Sequence, residues 1–362
     1  MNKKAYLFLM TSMVKPLLEN PEVTDIAFNG EALFYQHNQL GRLKSDIPLT
    51  KEGAFDFIRQ LANLTEQLFS YSSPILDVSI ERFRVNAVHP AIGRKHFERA
   101  TTFSIRVGHL GKTAIEEDPF FMPPEVNQLF LAILKLHASI VIAGKTGTGK
   151  TELQKYLLQQ MEPNARIVVI DNVLELESVS SNPLLDISLW QMSDQVNAAS
   201  FSELIRNALR SNPDWLIVAE SRGKEMLDIL NSAMTGHPVI TTIHSQDVYS
   251  VPSRMTRMAL MNDEHLRYDE VFHDVLVHFP FIVFLEKGKE KNHKIVRRIQ
   301  AIAELTNDQK ENIHIVFENI NGEVFYHPLL RGTVDLLRLA GCDLSKIQVF
   351  AQGVMVDEHN LL

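Results

Sequence analysis

Residues 144–151, Gly-Lys-Thr-Gly-Thr-Gly-Lys-Thr, constrain the fold of this chain more than any other stretch. Ahead of them, residues 139–143 (Ser-Ile-Val-Ile-Ala) have the apolar, β-branched character of a buried strand, and residues 152–161 behind them read as a helix. A strand, a glycine loop and a helix N-terminus in that order turn backbone N–H groups toward one point, where a phosphate fits. Gly144, Gly147 and Gly149 let the backbone come close to phosphate oxygens, because glycine takes φ > 0 at little cost. Lys150 is placed to reach β- and γ-phosphates, and the Thr151 hydroxyl to complete a Mg²⁺ shell. With Lys145, Thr146, Thr148 and Glu152, the segment is expected to bind a nucleotide. A glycine-rich turn that binds nothing is the competing reading, and the flanking strand and helix disfavour it.

The rest of the chain divides by pattern. Residues 1–107 mix short β patterns (25–28, 33–36, 83–88 and 102–107) with a helical stretch at 52–69, which predicts an α+β N-terminal domain. Residues 108–124 hold two Gly, three Pro and the acidic run Glu116-Glu117-Asp118, the chemistry of a linker. From 125 onward helices alternate with short apolar strands at 139–143, 166–170, 215–219 and 239–243. That alternation predicts an α/β domain, a mostly parallel sheet with helices on both faces, running to 362. Ser200 and Glu203 form a capping box ahead of an apolar helix face. After about 281 the chain turns β-rich. A charged hairpin tip is expected at 287–293, read as a solvated loop rather than a contact for nucleic acid or acidic lipid, and a hairpin at Asn321-Gly322.

Composition narrows the partners. One cysteine, Cys342, excludes a disulfide framework and any cysteine-pair zinc site, pointing to a reducing compartment. A net charge of −8 argues against general duplex-DNA binding, which relies on clustered Lys and Arg. No apolar run approaches the ~20 residues of a membrane span. The N-terminus has Lys3 and Lys4 before an apolar run, but Lys15 follows directly and no small-residue cleavage site appears, so Leu7, Met10, Val14 and Leu17 are read as one face of an amphipathic helix. A cytoplasmic location is expected, with any membrane association made through partners.

A phosphate loop that hydrolyses its nucleotide needs an acid near Mg²⁺, a group to orient water and a sensor of the γ-phosphate. Polar residues at strand ends supply candidates: Glu220 after 215–219, Asp171 and Glu175 after 166–170, and His244 after 239–243. A single acid or histidine in such a place is usually structural. Three behind strands that accompany a phosphate loop favour a site, since ligands of parallel sheets lie at the carboxyl ends of strands.

These residues carry a resemblance. The set is similar to the secretion ATPase superfamily, the hexameric motors of type II and type IV secretion, type IV pili and related filaments. The family's Ile-Glu-Asp-x-x-Glu appears as Ile-Asp-Asn-Val-Leu-Glu at 170–175, keeping only its last acid. Leu-Arg-x-x-Pro-Asp, an apolar strand and Gly-Glu-x-Arg-Gly appear as Leu-Arg-Ser-Asn-Pro-Asp at 209–214 and Ala-Glu-Ser-Arg-Gly at 219–223. The family's histidine motif is matched at 235–244, from Thr-Gly-His to His244. Upstream, residues 84–90 and 102–106 resemble N-domain segments of the type IV secretion and tight-adherence pilus branch, whose arginines reach the nucleotide. Asp171 and Asn172 shorten one acidic side chain and remove one charge, and no four-cysteine zinc insert is possible, which sets the chain apart from the filament-assembly branch.

The resemblance implies a RecA-like P-loop NTPase domain and Mg²⁺-dependent ATP hydrolysis. It assigns Lys150 and Thr151 to phosphates and metal, Glu175 to the attacking water, Glu220 to Mg²⁺ or its water, and His244 to sensing the γ-phosphate. Arg84 and Arg106 become candidate fingers, with Arg222 and Arg210 behind them. It further implies a homo-hexamer serving inner-membrane components of a secretion or pilus machine from the cytoplasmic face. The alternatives are a nucleic-acid translocase or recombination ATPase, marked by a basic surface interleaved with aromatics that is missing here, a nucleotide-gated scaffold without catalysis, suggested by Asp171 and Asn172, and a small-molecule kinase, for which no acceptor motif is found.

Overall fold

The computed structural model describes residues 3–108, 115, 121–172, 175–181, 183–192, 200–261, 265–289, 295–307 and 312–351. It divides the chain into two compact units: Met1–Gly111 with Val173–Glu175 and Lys289–Val296, and the remainder, Lys112–Asn172, Leu176–Gly288 and Arg297–Leu362. Of the hairpin tip expected at 287–293, residues 287–289 continue a strand and 290–293 lie outside the described residues, as does most of the linker expected at 108–124.

In the first unit, strands β1 (Val23–Phe28), β2 (Leu33–His37), β3 (Gly41–Lys44), β4 (Ile75–Ile80), β5 (Phe83–Val88) and β8 (Thr102–Val107) form one sheet in the order β3-β2-β1-β8-β5-β4. Every pairing is antiparallel. A separate small hairpin, β6 (Arg94–Lys95) and β7 (Glu98–Arg99), precedes β8. Side chains alternate across a strand, so Phe83, Val85 and Ala87 of β5 and Phe103, Ile105 and Val107 of β8 enter the core. There they meet Phe57, Ile58 and Leu61 of α3 (Lys51–Leu64) and Leu9 of α1 (Lys3–Thr11). The Thr50 hydroxyl caps α3 by accepting the Gly53 N–H at 3.0 Å.

Two helical expectations are corrected in this unit. The N-terminal helix is broken into α1 and α2 (Lys15–Leu18), since the Thr11 and Ser12 hydroxyls bond back to the Leu7 and Leu9 carbonyls and Pro16 starts the next turn. Its buried face is Ala5, Leu9, Val14, Leu17 and Leu18, while Leu7 is exposed. Helix α3 stops at Leu64 rather than 69: the Thr65 hydroxyl turns back onto the Leu61 carbonyl and Glu66 takes φ 57°.

The second unit is built on nine strands in the order β11-β10-β12-β13-β9-β14-β15-β16-β17. Strands β9 (Ile140–Gly144), β10 (Arg166–Asp171), β11 (Asp186–Gln191), β12 (Trp215–Ser221), β13 (Val239–Ile243) and β14 (Phe281–Lys289) pair in parallel. Strands β15 (Ile295–Leu305), β16 (Ile313–Ile320) and β17 (Glu323–Tyr326) extend the same sheet, the last two pairings being antiparallel. Strands β15 to β17 are therefore a continuation of the sheet, whose hairpin at Asn321-Gly322 turns with φ 55° and 97° at its two residues.

Alternate side chains of each parallel strand feed two cores. Ile140, Ile142, Ile167, Val169 and Ile217 face α4 (Pro124–Lys135) and α5 (Lys150–Gln159). Val141, Ala143, Val168, Ile170 and Val218 face α6 (Phe201–Ala208), α7 (Met226–Met234), α8 (Val251–Leu260) and α9 (Tyr268–His278). Burial on both sides is why these strands read as continuous apolar runs. At the start of α6, Ser200 Oγ accepts the Glu203 N–H at 3.3 Å, as the capping box predicts. Strand β11 and the C-terminal helices α10 (Arg331–Leu339) and α11 (Gln348–Ala351), which pack Val334, Leu337 and Phe350 into the first core, are additions to the sequence reading. Among the described residues no helix is long and apolar enough to cross a membrane.

Candidate nucleotide site

Strands β12, β13 and β9 are consecutive neighbours, so whatever follows their carboxyl ends lies together. The loop after β9 has the geometry its glycines imply. Gly144 takes φ 149°, and a Cβ there would stand 2.5 Å from the Leu285 carbonyl oxygen, so no other residue fits. Gly149 takes φ 97° as the N-cap of α5, against the Phe121 ring.

Lys150, at the first turn of α5, is 8% exposed. Its Nζ donates to the Gly144 and Lys145 carbonyls at 3.0 and 3.1 Å and lies 3.4 Å from His244 Nδ1. An ammonium can only donate, so Nδ1 is the acceptor and the ring proton sits on Nε2. That nitrogen faces Glu220 Oε1 at 2.8 Å. The contact is a close approach rather than an aligned bond, because the buried Oε1 has no hydrogen-bond partner of its own. Glu220 Oε2 accepts from Arg222 at 2.6 Å. Burial pushes the Glu220 carboxyl up, and the Arg222 bond with the charges of Arg222, His244 and Lys150 outweighs it, leaving the group below the usual carboxylate range. His244 is pushed below its ordinary value by burial and by the Lys150 charge, against the opposing pull of Glu220. Ionised Glu220 beside neutral His244 is the consistent state.

Glu220 is presented by an irregularity in the sheet. The β12–β13 register shifts between Val218 and Ser221, and side chains take over from the ladder. Thr242 Oγ1 donates to the Ala219 carbonyl at 2.7 Å, and the Ser221 and Thr241 hydroxyls lie 2.7 Å apart. Gln154 of α5, fully buried, donates its amide to the Val218 and Ile240 carbonyls at 3.1 and 3.3 Å. The sequence reading missed Gln154; its signal was a lone amide on the apolar face of the helix that follows the loop.

The structure thus brings Lys150, His244, Glu220 and Arg222 together. Thr151 and Glu152 stand beside Lys150 in the first turn of α5, Glu152 paired with Lys155 at 2.9 Å. Asp171 is buried and accepts the Leu176 N–H at 3.3 Å. Glu175 itself groups with the first unit. Arg210, on a short turn before β12, stands at the opposite end of that strand from Glu220, a separation of about 17 Å or more at the rise of a strand. It is therefore removed from the list of fingers acting on this chain's own loop.

In the first unit, Arg84 and Arg106 are directly paired across β5 and β8 on the sheet face turned away from the core. Arg84 binds Asp77 through two bonds of 3.0 and 2.8 Å, and Arg106 reaches Asp25 at 3.4 Å.

A parallel α/β sheet with a phosphate loop, a buried lysine and a carboxylate on the next strand but one defines the class of P-loop nucleotide-binding folds. Residues 79–277, more than half of the chain, match the family described as type II/IV secretion system protein, and the chain belongs to that family. It is 26% identical over 319 residues to an uncharacterized protein of Bacillus anthracis, covering 85% of this chain and 70% of that one. The type IV secretion system protein PtlH of Bordetella pertussis is 34% identical over 126 residues, 34% of this chain and 37% of PtlH. In fold, the chain is similar to the Legionella pneumophila ATPase DotB, with a TM-score of 0.58 and 21% identity, over 82% of this chain and 80% of DotB.

Proposed function

We propose that this protein is a Mg²⁺-dependent ATPase motor that powers secretion or pilus assembly as a homo-hexamer, docked on membrane components at the cytoplasmic face. The observation that carries the reading is the contact chain from Lys150 through His244 to Glu220, which ties a buried cation at the phosphate loop to a half-buried carboxylate on β12. Family membership and the likeness to PtlH support the setting.

The groups present fit a nucleotide and its metal. Gly144 leaves no room for a Cβ in the cradle, Lys150 holds positive charge there, and Glu220 Oε1 is a buried acceptor with no hydrogen bond. Among the described residues no three His, Cys, Asp or Glu gather as a metal cage, so Thr151 and Glu220 would hold Mg²⁺ together with phosphate and water oxygens, as that ion favours. When bound, the ion neutralises charge on the phosphates.

Lys150 exchanges its loop carbonyls for phosphate oxygens and stabilises charge as the bond to the γ-phosphate breaks. Glu220, kept ionised, would orient a water through its carboxylate oxygens. Neutral His244 offers Nε2–H toward the terminal phosphate. Glu175 takes the proton of the attacking water, and Arg84 and Arg106 add positive charge to the phosphates. The products are ADP and inorganic phosphate.

Phosphate release from ATP, measured with the mass in solution, tests the reading. Wild type should turn over and assemble, while Lys150→Ala should lose turnover and keep the circular dichroism of the folded chain. Normal turnover in that variant sinks the site assignment, and a nucleotide-bound monomer without turnover leaves a scaffold.

A further inference from the structure

Arg297, on β15, has no role in the site as described so far, yet it grips the phosphate loop. Its Nε donates to the Gly147 carbonyl at 2.9 Å. Its Cδ stands 3.7 Å from the position a Cβ on Gly149 would take, and Lys287 of β14 brings Nζ to 3.6 Å from the same point on Gly147. Arg297, Lys287 and the loop all belong to the second unit.

The loop's carbonyls are held by different donors. Lys150 Nζ takes those of Gly144 and Lys145, and Thr148 Oγ1 takes Lys145 again at 2.9 Å. Gly147 is held from outside the loop, by Arg297. Its φ is 75°, a conformation from which a glycine peptide rotates easily. A trans peptide directs its N–H opposite to its C=O, so a donor fixed on the Gly147 oxygen also fixes where the Thr148 N–H points. A bond from a guanidinium to a carbonyl is charge-assisted and stronger than a neutral one.

We infer that Arg297 is a positioning residue for nucleotide binding: by holding the Gly147 carbonyl it keeps the 147–148 peptide turned with its N–H available to a phosphate oxygen, while Lys287 and Arg297 set a positive rim on the loop. The inference rests on reading the loop as an ATP site. Arg298 supplies the internal control, since it points to the other face of the strand, where it pairs with Glu286 at 3.2 Å.

The experiment uses the full chain and measures ATP affinity and steady-state kinetics for Arg297→Gln, Arg297→Lys and Arg298→Gln, with melting temperature as the check on folding. Losing one charge-assisted bond should raise the Kd and KM for ATP about tenfold, with kcat within about threefold of wild type. Arg297→Lys keeps a donor and a charge and should recover most of the affinity, and Arg298→Gln should bind as wild type. Unchanged affinity in Arg297→Gln overturns the inference, as does an equal loss in Arg298→Gln or no recovery in Arg297→Lys. Failure of wild type itself to bind ATP would instead strike the reading of the loop, a separate result.

Discussion

The two units hold their charged residues in opposite ways. In the second, Lys150 is buried, Glu220 is half-buried with Oε1 enclosed, and the two are linked through His244 across three consecutive parallel strands. In the first, Arg84 and Arg106 lie on an open sheet face, their side chains 28% and 43% exposed, each answered by a carboxylate on a strand of the same sheet. Two arginines directly opposite each other repel, and Asp77 and Asp25 neutralise them where they stand. Lys150 and the enclosed Glu220 Oε1 are fixed by the fold, because moving one away would strand a charge away from water. An exposed pair is worth only about 0–1 kcal/mol, so a phosphate oxygen can take the place of the carboxylate at small cost. On the proposed function, the second unit would position a reaction and the first would exchange partners.

That contrast breaks most visibly at the arginines. Removing a charge that stabilises a transferring phosphoryl group costs about 10³-fold or more in kcat, so Arg84→Ala and Arg106→Ala should each suppress turnover on that scale. Stability should fall by no more than about 1 kcal/mol, the worth of a surface pair. Normal turnover beside a small loss of stability would reduce both residues to ordinary ion pairs of an open sheet face. A mixture of Arg84→Ala and Lys150→Ala chains sharpens the point: recovery of turnover in the mixture would mean that the arginine acts on another copy's nucleotide.

Glu220→Gln sharpens the other side. The amide keeps the shape and loses the charge, so turnover should drop about 10²-fold while nucleotide affinity stays near wild type, measured by equilibrium binding beside phosphate release. An equal fall in affinity and turnover would make Glu220 a structural anchor for Arg222 rather than an organiser of water.

The fold of the second unit was legible because its strands are buried on both faces and its loop permits one geometry. Residues 139–143, 166–170, 215–219 and 239–243 all lie in or against adjacent strands of one sheet, since apolar runs of that length have few other uses. Strand β11 was not legible: its side chains alternate between exposed and half-buried at the edge of the sheet, so no run stands out. The break between α1 and α2 escaped for a different reason, because hydroxyls bonding back to carbonyls at Thr11 and Ser12 leave the helical period of the sequence intact. In the site, Lys150, Glu220 and His244 announced themselves by following strands. Gln154, Thr242 and Arg297 act on backbone carbonyls, and a carbonyl leaves no trace in a sequence.

The smallest expected effect concerns the protonation of the cluster of Lys150, His244 and Glu220. His244 titrates below its ordinary value of 6.5 in the folded chain, pushed down first by burial and then by Lys150. As the pH falls through 6.5, the unfolded chain takes up this proton before the folded one does, so the unfolded state binds more protons and stability falls with pH. The loss begins near 6.5 and ends once the pH passes below the folded value. Glu220, also held below its ordinary 4.5, adds a loss of the same sign at lower pH. Melting temperatures of wild type and His244→Gln between pH 7.5 and 5.5 separate this residue from other histidines, because only the difference between the two curves belongs to His244. Wild type should lose more stability on acidification than the variant. Parallel curves would mean that the ring is not held neutral between Lys150 and Glu220, and with that the assignment of its proton to Nε2 would fall.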